Sequence, residues 1–305
     1  MRRHERLDLL AIAVLAFLCA LWGVQQVTVK VAVAQGLPPV LQAALRSAGA
    51  SVLCALWIGA RGGGGLRGAF GDLAAARAGL LLAVLFAAEF VAIYLGVRIT
   101  SASRAVLFIY TAPFFTALGA HVFLPAERLR AVQAAGLAVA FAGVVATFAE
   151  GLLHGGGHLT GDALCALGGA LWASTILIIK ASPSLRRTTS AGLLLYQLAG
   201  SAPLLLAASW ALGEMAAPLH ASLLAWTCLF YQTAIVAFAS YLAWFWLLMA
   251  YPATRLSGFT FLTPMFGILA GGLLLGETLS AGLLVGLAAI IAGLRMINRP
   301  APAVA

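Results

Sequence analysis

Charge is what this sequence lacks. Only 9% of its 305 residues are charged, against about 25% in an average soluble domain. Hydrophobic residues make up 63%, and the mean hydropathy is +1.04. That balance excludes a water-soluble fold and points to an integral membrane protein. Acids are the scarcest charges, nine against eighteen basic residues, a net charge of +9. A nucleic-acid-binding surface would gather its basic residues on one solvated face. Here they fall in twos and threes between apolar runs, so nucleic acid is not an expected partner. Cysteine is also rare: Cys19, Cys54, Cys165 and Cys228 all lie inside apolar runs, without metal-ligand spacing, as small hydrophobes. A structural disulfide is not expected. The histidines (His4, His121, His154, His158, His220) are not spaced against any intramembrane carboxylate. A membrane-embedded enzyme acting on lipid-linked substrates would need clustered acids, histidine ligands or a nucleophile with its base. The sequence is therefore read as a non-enzyme with no cofactor and no metal, and His154 and His158 as solvated.

What it has is a repeated membrane-crossing element. Arg104 to Glu127 holds about twenty uncharged residues, enough for a ~30 Å hydrocarbon core, with Pro113 near its middle. The pattern returns from Arg255 to Glu277 around Pro264. Each arginine precedes its proline by nine residues, and Phe108 matches Phe259. Ten spans are expected in all, at 9–30, 39–60, 78–98, 104–124, 131–149, 163–180, 191–212, 222–248, 255–275 and 279–295. The first exceeds the 7–15 apolar residues of a signal peptide and is read as a retained helix. Gly62–Gly65 and Gly155–Gly157 lack the Lys-Ser/Thr of a phosphate loop and are read as connections.

Further matches tie the halves together, residues 1–150 and 151–305. Leu21-Trp22 with Lys30 returns as Leu171-Trp172 with Lys180, and Gly136 and Gly143 return as Gly286 and Gly293. Five helices is an odd number, so the second repeat enters the membrane inverted. Such repeats place a substrate site near the midplane and support alternating access. The Lys/Arg distribution orients the chain: fourteen of eighteen fall in segments on one side when both termini are cytoplasmic.

The early Leu-Trp, the Arg…Pro…Glu runs and the Leu-Gly-Glu at Leu275–Glu277 resemble the EamA family of the drug/metabolite transporter superfamily. The resemblance covers nearly the whole chain. The first-half Pro-Ala-Glu (Pro125–Glu127) is a looser match. The resemblance implies ten transmembrane helices and export of small metabolites, often amino acids, through a bacterial inner membrane. It does not imply a substrate. The four-helix multidrug relatives rely on an acid in their first helix; Leu9–Val29 has none, so that mechanism is not carried over.

Polar groups at membrane depth are the candidate site. Arg46 and Glu89 lie at similar depth in the second and third spans. They read either as a buried salt bridge or, for Glu89, as a proton-coupling or substrate-ammonium site. Trp22, Gln25, Gln26 and Lys30 share a face of the first span, as Trp172 and Thr175 do in the sixth. Tyr94, Tyr110, Tyr231, Gln232 and Tyr241 complete an aromatic, hydroxyl-bearing set for a substrate cavity. Cation–π faces with neutral polar groups suit a zwitterion with an apolar side chain. Nucleotide-sugar or phosphate-ester carriage is the alternative. It wants several cavity-facing cations, and only Lys30 and Arg46 qualify. Pro113 and Pro264 are expected hinges, each depriving a carbonyl (Ile109, Thr260) of its donor. Gly267-xxx-Gly271 and Gly282-xxx-Gly286 permit close helix packing. Arg104–Glu277 and Glu127–Arg255 are expected to pair as gates, one at each membrane face. The expected partners are a small-molecule substrate and the lipid bilayer.

Overall fold

A computed structural model describes residues 7–61, 73–154, 158–216, 219–276 and 282–299. The glycine tracts Gly62–Gly65 and Gly155–Gly157, and Glu277, lie outside them. The described residues are helical, without strands. In chain order the spans are α1 (Leu9–Ala34), α2 (Pro39–Ala60), α3 (Leu73–Ile99), α4a (Ala102–Ile109) with α4b (Ala112–Phe123), α5 (Ala131–His154), α6 (Leu159–Ala181), α7 (Ser190–Ala211), α8 (Leu223–Ala250), α9a (Ala253–Phe259) with α9b (Leu262–Leu275), and α10 (Gly282–Ile297). The ten expected spans are all present. α3 begins five residues early because Leu73–Arg77 is alanine-rich, and alanine and arginine are strong helix formers. Side-chain caps set several starts: Asp8 accepts from Ala11 N at 2.8 Å, and Ser101, Thr189 and Ser222 cap α4a, α7 and α8.

The repeated proline stretches differ from expectation in one respect. They are broken helices, not single helices kinked at proline. The breaks fall at Tyr110–Thr111 and Thr260–Phe261, and each proline lies in the first turn of the following helix. There its missing N–H costs nothing, since first-turn donors have no intrahelical acceptor. The Thr260 carbonyl is not left without a donor: Thr263 N supplies one at 2.9 Å. A second irregularity gave no signal in the sequence. Residues Tyr231–Ser240, in the middle of α8, are wound as a π-helix, a form that is rare and frequent at functional sites.

Inverted repeats meet head to tail, and the α5–α10 contact shows it. Gly136 faces Gly293, and Gly143 faces Gly286. Since Gly136 and Gly143 are the repeat counterparts of Gly286 and Gly293, the crossing is two-fold. The repeats are also interlocked. α1 packs on α8 and α9b of the second repeat, and α6 packs on α3, α4a and α4b of the first. A Cβ on Gly23 of α1 would come within 2.6 Å of Gly267 N in α9b; one on Gly169 of α6 would come as close to Ile109 O in α4a. Small residues are what let these backbones approach.

Candidate functional site

The interlocked helices bring aromatic rings from both repeats into one run. Trp172 (α6) lies 6.3 Å from Trp244 (α8), which is 5.5 Å from Trp22 (α1). Trp22 is 6.2 Å from Tyr241, and Tyr241 is 6.3 Å from Phe86 (α3). The run continues through Phe90, 4.8 Å from Phe86, to Tyr94, a further 6.0 Å on. Most contacts are edge-on, the arrangement that aromatic quadrupoles favour. Phe86, Phe90 and Trp244 were not singled out in the sequence. The signal was there: Phe86, Phe90 and Tyr94 follow one another at four-residue intervals, one helix face.

Arg46 enters this run from α2. Its guanidinium lies 4.4 Å from the Phe90 ring centre and 6.0 Å from that of Tyr241. Arg46 is 1% exposed and Glu89 8%. Among the described residues no hydrogen bond or ion pair joins the two. Arg46 Nε and Nη2 and Glu89 Oε2 are buried without a hydrogen-bond partner. The expected salt bridge is thus corrected to a cation–π stack, because the ring one residue after Glu89 takes the guanidinium face.

The other candidates divide. Trp22 Nε1 donates to Ser240 Oγ at 2.9 Å, and Ser240 is the repeat counterpart of Glu89. Tyr231 donates to Leu21 O at 3.0 Å, fastening the start of the π-helical segment to α1. Gln232 donates to Gln42, and Gln42 to Leu37 O, at 3.1 and 2.7 Å, a buried chain that ties α8 to α2. Thr175 bonds back to Leu171 O in its own helix at 3.2 Å. Tyr110 is buried at the α4 break. Gln26 and Lys30 are exposed on α1, and Gln25 is half-buried.

Of the expected gate residues, Glu277 lies outside the described residues, and Arg104 and Glu127 each meet a partner on α6. Asp162, three residues into α6, takes Arg104: Nε lies 3.1 Å from Oδ2, and Nη2 also contacts Oδ2. Thr100 Oγ1 donates to the same carboxylate at 2.7 Å. Glu127 Oε1 lies 3.3 Å from Lys180 Nζ, and its Oε2 accepts from Ala253 N at 2.7 Å. Lys180 also donates to Tyr251 O, and Arg255 Nη1 to Asn298 Oδ1 at 3.1 Å. The physical reason is the interlock. α6 wedges against both halves of α4 and supplies the charges that α9 was expected to supply. An acid in the first turn of α6 also favours the helix dipole. Asp162→Asn should lower the thermal midpoint, because it removes the carboxylate charge that Arg104 and Thr100 share. In thermal melts Arg104→Gln should add little in that background.

Helices of this number, length and apolarity with inverted, interlocked repeats fit a secondary transporter, and comparison with known proteins decides which. Residues 9–149 and 159–299 each match the EamA-like transporter family. The chain belongs to that family. It is 31% identical over 175 residues to the uncharacterized transporter YvbV of Bacillus subtilis (strain 168). That match covers 56% of this chain and 55% of YvbV, about half the length of the relative. A crystal structure 18% identical in sequence superposes with a TM-score of 0.77, covering 92% of this chain and 94% of that one. At that identity the likeness speaks for the fold.

Proposed function

We propose that this EamA-type transporter exports small amphipathic metabolites, foremost amino acids with apolar side chains, from the bacterial cytoplasm by alternating access. One observation carries the reading: an aromatic run drawn from both repeats, with a buried cation and a buried acid beside it. Rings accommodate an apolar side chain, and two opposite charges accommodate a zwitterion. Phosphate-ester carriage is less well supported, because Lys180 is tied to Glu127 and Arg46 is the cation beside the rings.

With the termini cytoplasmic, as the arginine distribution favours, Glu127, Lys180, Tyr251 and Ala253 form the inner seal. It joins α4 and α6 to the start of α9. Asp8 accepting from Tyr251 at 2.9 Å adds α1 to the seal. Lys180 is only 3% exposed, whereas its repeat counterpart Lys30 is exposed. That asymmetry supports an inside-closed state. The halves of the chain, 1–150 and 151–305, then move as swapped bodies, α1 with α8 and α9, and α6 with α3 and α4.

Flux from proteoliposomes loaded with a radiolabelled amino-acid panel tests the reading. Release of leucine- or phenylalanine-like substrates is expected. Glu89→Gln should release them with a flattened pH dependence, as a proton-coupling or ammonium-binding carboxylate requires. No flux of any amino acid by folded protein would overturn the assignment.

A further inference from the structure

Two arginines of this chain can be compared edge for edge. Arg104 shows how the fold occupies a guanidinium. Its Nε and Nη2, the two donors on one edge of the fork, both meet the Asp162 carboxylate. Arg46 offers the same edge, Nε and Nη2, with no protein hydrogen-bond partner. Yet Arg46 is the more deeply buried, 1% exposed, where an unsatisfied charged donor is most costly. Phe90 covers one flat face of Arg46 at 4.4 Å. Stacking there leaves the in-plane donors for a planar bidentate acceptor, and a guanidinium fork matches carboxylate geometry in that plane.

Resting on the export reading, we propose that Arg46 is the anchor for the single carboxylate of the transported molecule. The Nε–Nη2 edge of Arg46 receives the carboxylate oxygens, and Glu89 Oε2 faces the ammonium. Charge counting favours a zwitterion that carries one carboxylate. One cation beside one acid is neutral as a pair, and a zwitterion leaves it neutral. A phosphate dianion would put a second uncompensated negative charge next to Glu89. The aromatic run through Tyr241 and Phe86 then takes the apolar side chain.

The test separates the two charges of the substrate. Purified protein in nanodiscs is titrated with leucine, with 4-methylpentanoate (which lacks the ammonium), with leucinamide (which lacks the carboxylate) and with isopentyl phosphate, and binding is read calorimetrically. Leucine and 4-methylpentanoate should bind; leucinamide, which forfeits the charge-assisted fork, and isopentyl phosphate, whose extra negative charge meets Glu89, should each bind at least roughly tenfold more weakly. Arg46→Lys keeps the charge but not the fork, and should weaken both carboxylates roughly tenfold without changing leucinamide. The wild-type comparison alone stays decisive if Arg46 variants fold poorly. Leucinamide binding as tightly as leucine, undiminished carboxylate binding by Arg46→Lys, or no binding of either carboxylate to wild type would overturn the anchor. Leucine flux that persists with unchanged KM in Arg46→Lys would defeat the anchor and leave export standing. Carboxylate binding without amino-acid flux would do the reverse.

Discussion

Glu127→Gln is expected to open the inner seal. The substitution preserves shape and the bond to Ala253 N but removes the countercharge of Lys180, whose side chain is 3% exposed. Breaking one partner of a buried ion pair costs about 3–5 kcal/mol, and opening the seal to water relieves most of that cost. The inside-open population should therefore rise by roughly a hundredfold, taking 1.4 kcal/mol per factor of ten. The readout is labelling of Thr254→Cys, a position 3% exposed beside the seal, by an impermeant thiol reagent in a background without the four native cysteines. Adding Lys180→Met removes the cation that faced Glu127, so the double variant should label far more slowly than Glu127→Gln alone. Such non-additivity is the mark of direct contact. Equal labelling of wild type and Glu127→Gln would mean that this cluster does not seal the inner face.

Gly286→Val is expected to cost the most in stability, about 3 kcal/mol or more, the upper range for overpacking. A Cβ at Gly286 would overlap Thr147 Oγ1 and come within 2.6 Å of Gly143 O, a backbone atom that cannot step aside. Gly143→Val meets the mirror-related obstacle, Gly286 O at 2.6 Å, and should cost a similar amount. Gly59→Val is the control: nothing lies within 4 Å of its Cβ position. Chemical unfolding in detergent should put the first two well below wild type and leave Gly59→Val close to it. Equal midpoints for Gly59→Val and Gly286→Val would show that the α5–α10 crossing is looser than these contacts imply.

The sequence by itself determined the ten spans, the two repeats and the class of protein. Each of these is a sum along the chain. Some twenty apolar residues must cross as helix because the hydrocarbon offers their backbone no partner. A pattern recurring 150 residues later needs no knowledge of packing. Several site residues were legible for the same reason: Arg46 and Glu89 stand out as charges at depth, and Trp22 recurs as Trp172.

Only the tertiary structure decided who meets whom. Asp162 stands just before the expected sixth span and Lys180 at its end, and they take Arg104 and Glu127 because α6 crosses into the other repeat. The π-helical turns of Tyr231–Ser240 have no compositional mark, and with them Gln232 reaches Gln42 and Ser240 reaches Trp22. Arg46 stacks on Phe90, and Glu89 Oε2 is left without a hydrogen-bond partner. Ion-pair and stacking partners depend on ångström-scale positions of helix ends from distant parts of the chain. Hydropathy and periodicity locate a residue along its helix and leave open which neighbouring helix it faces.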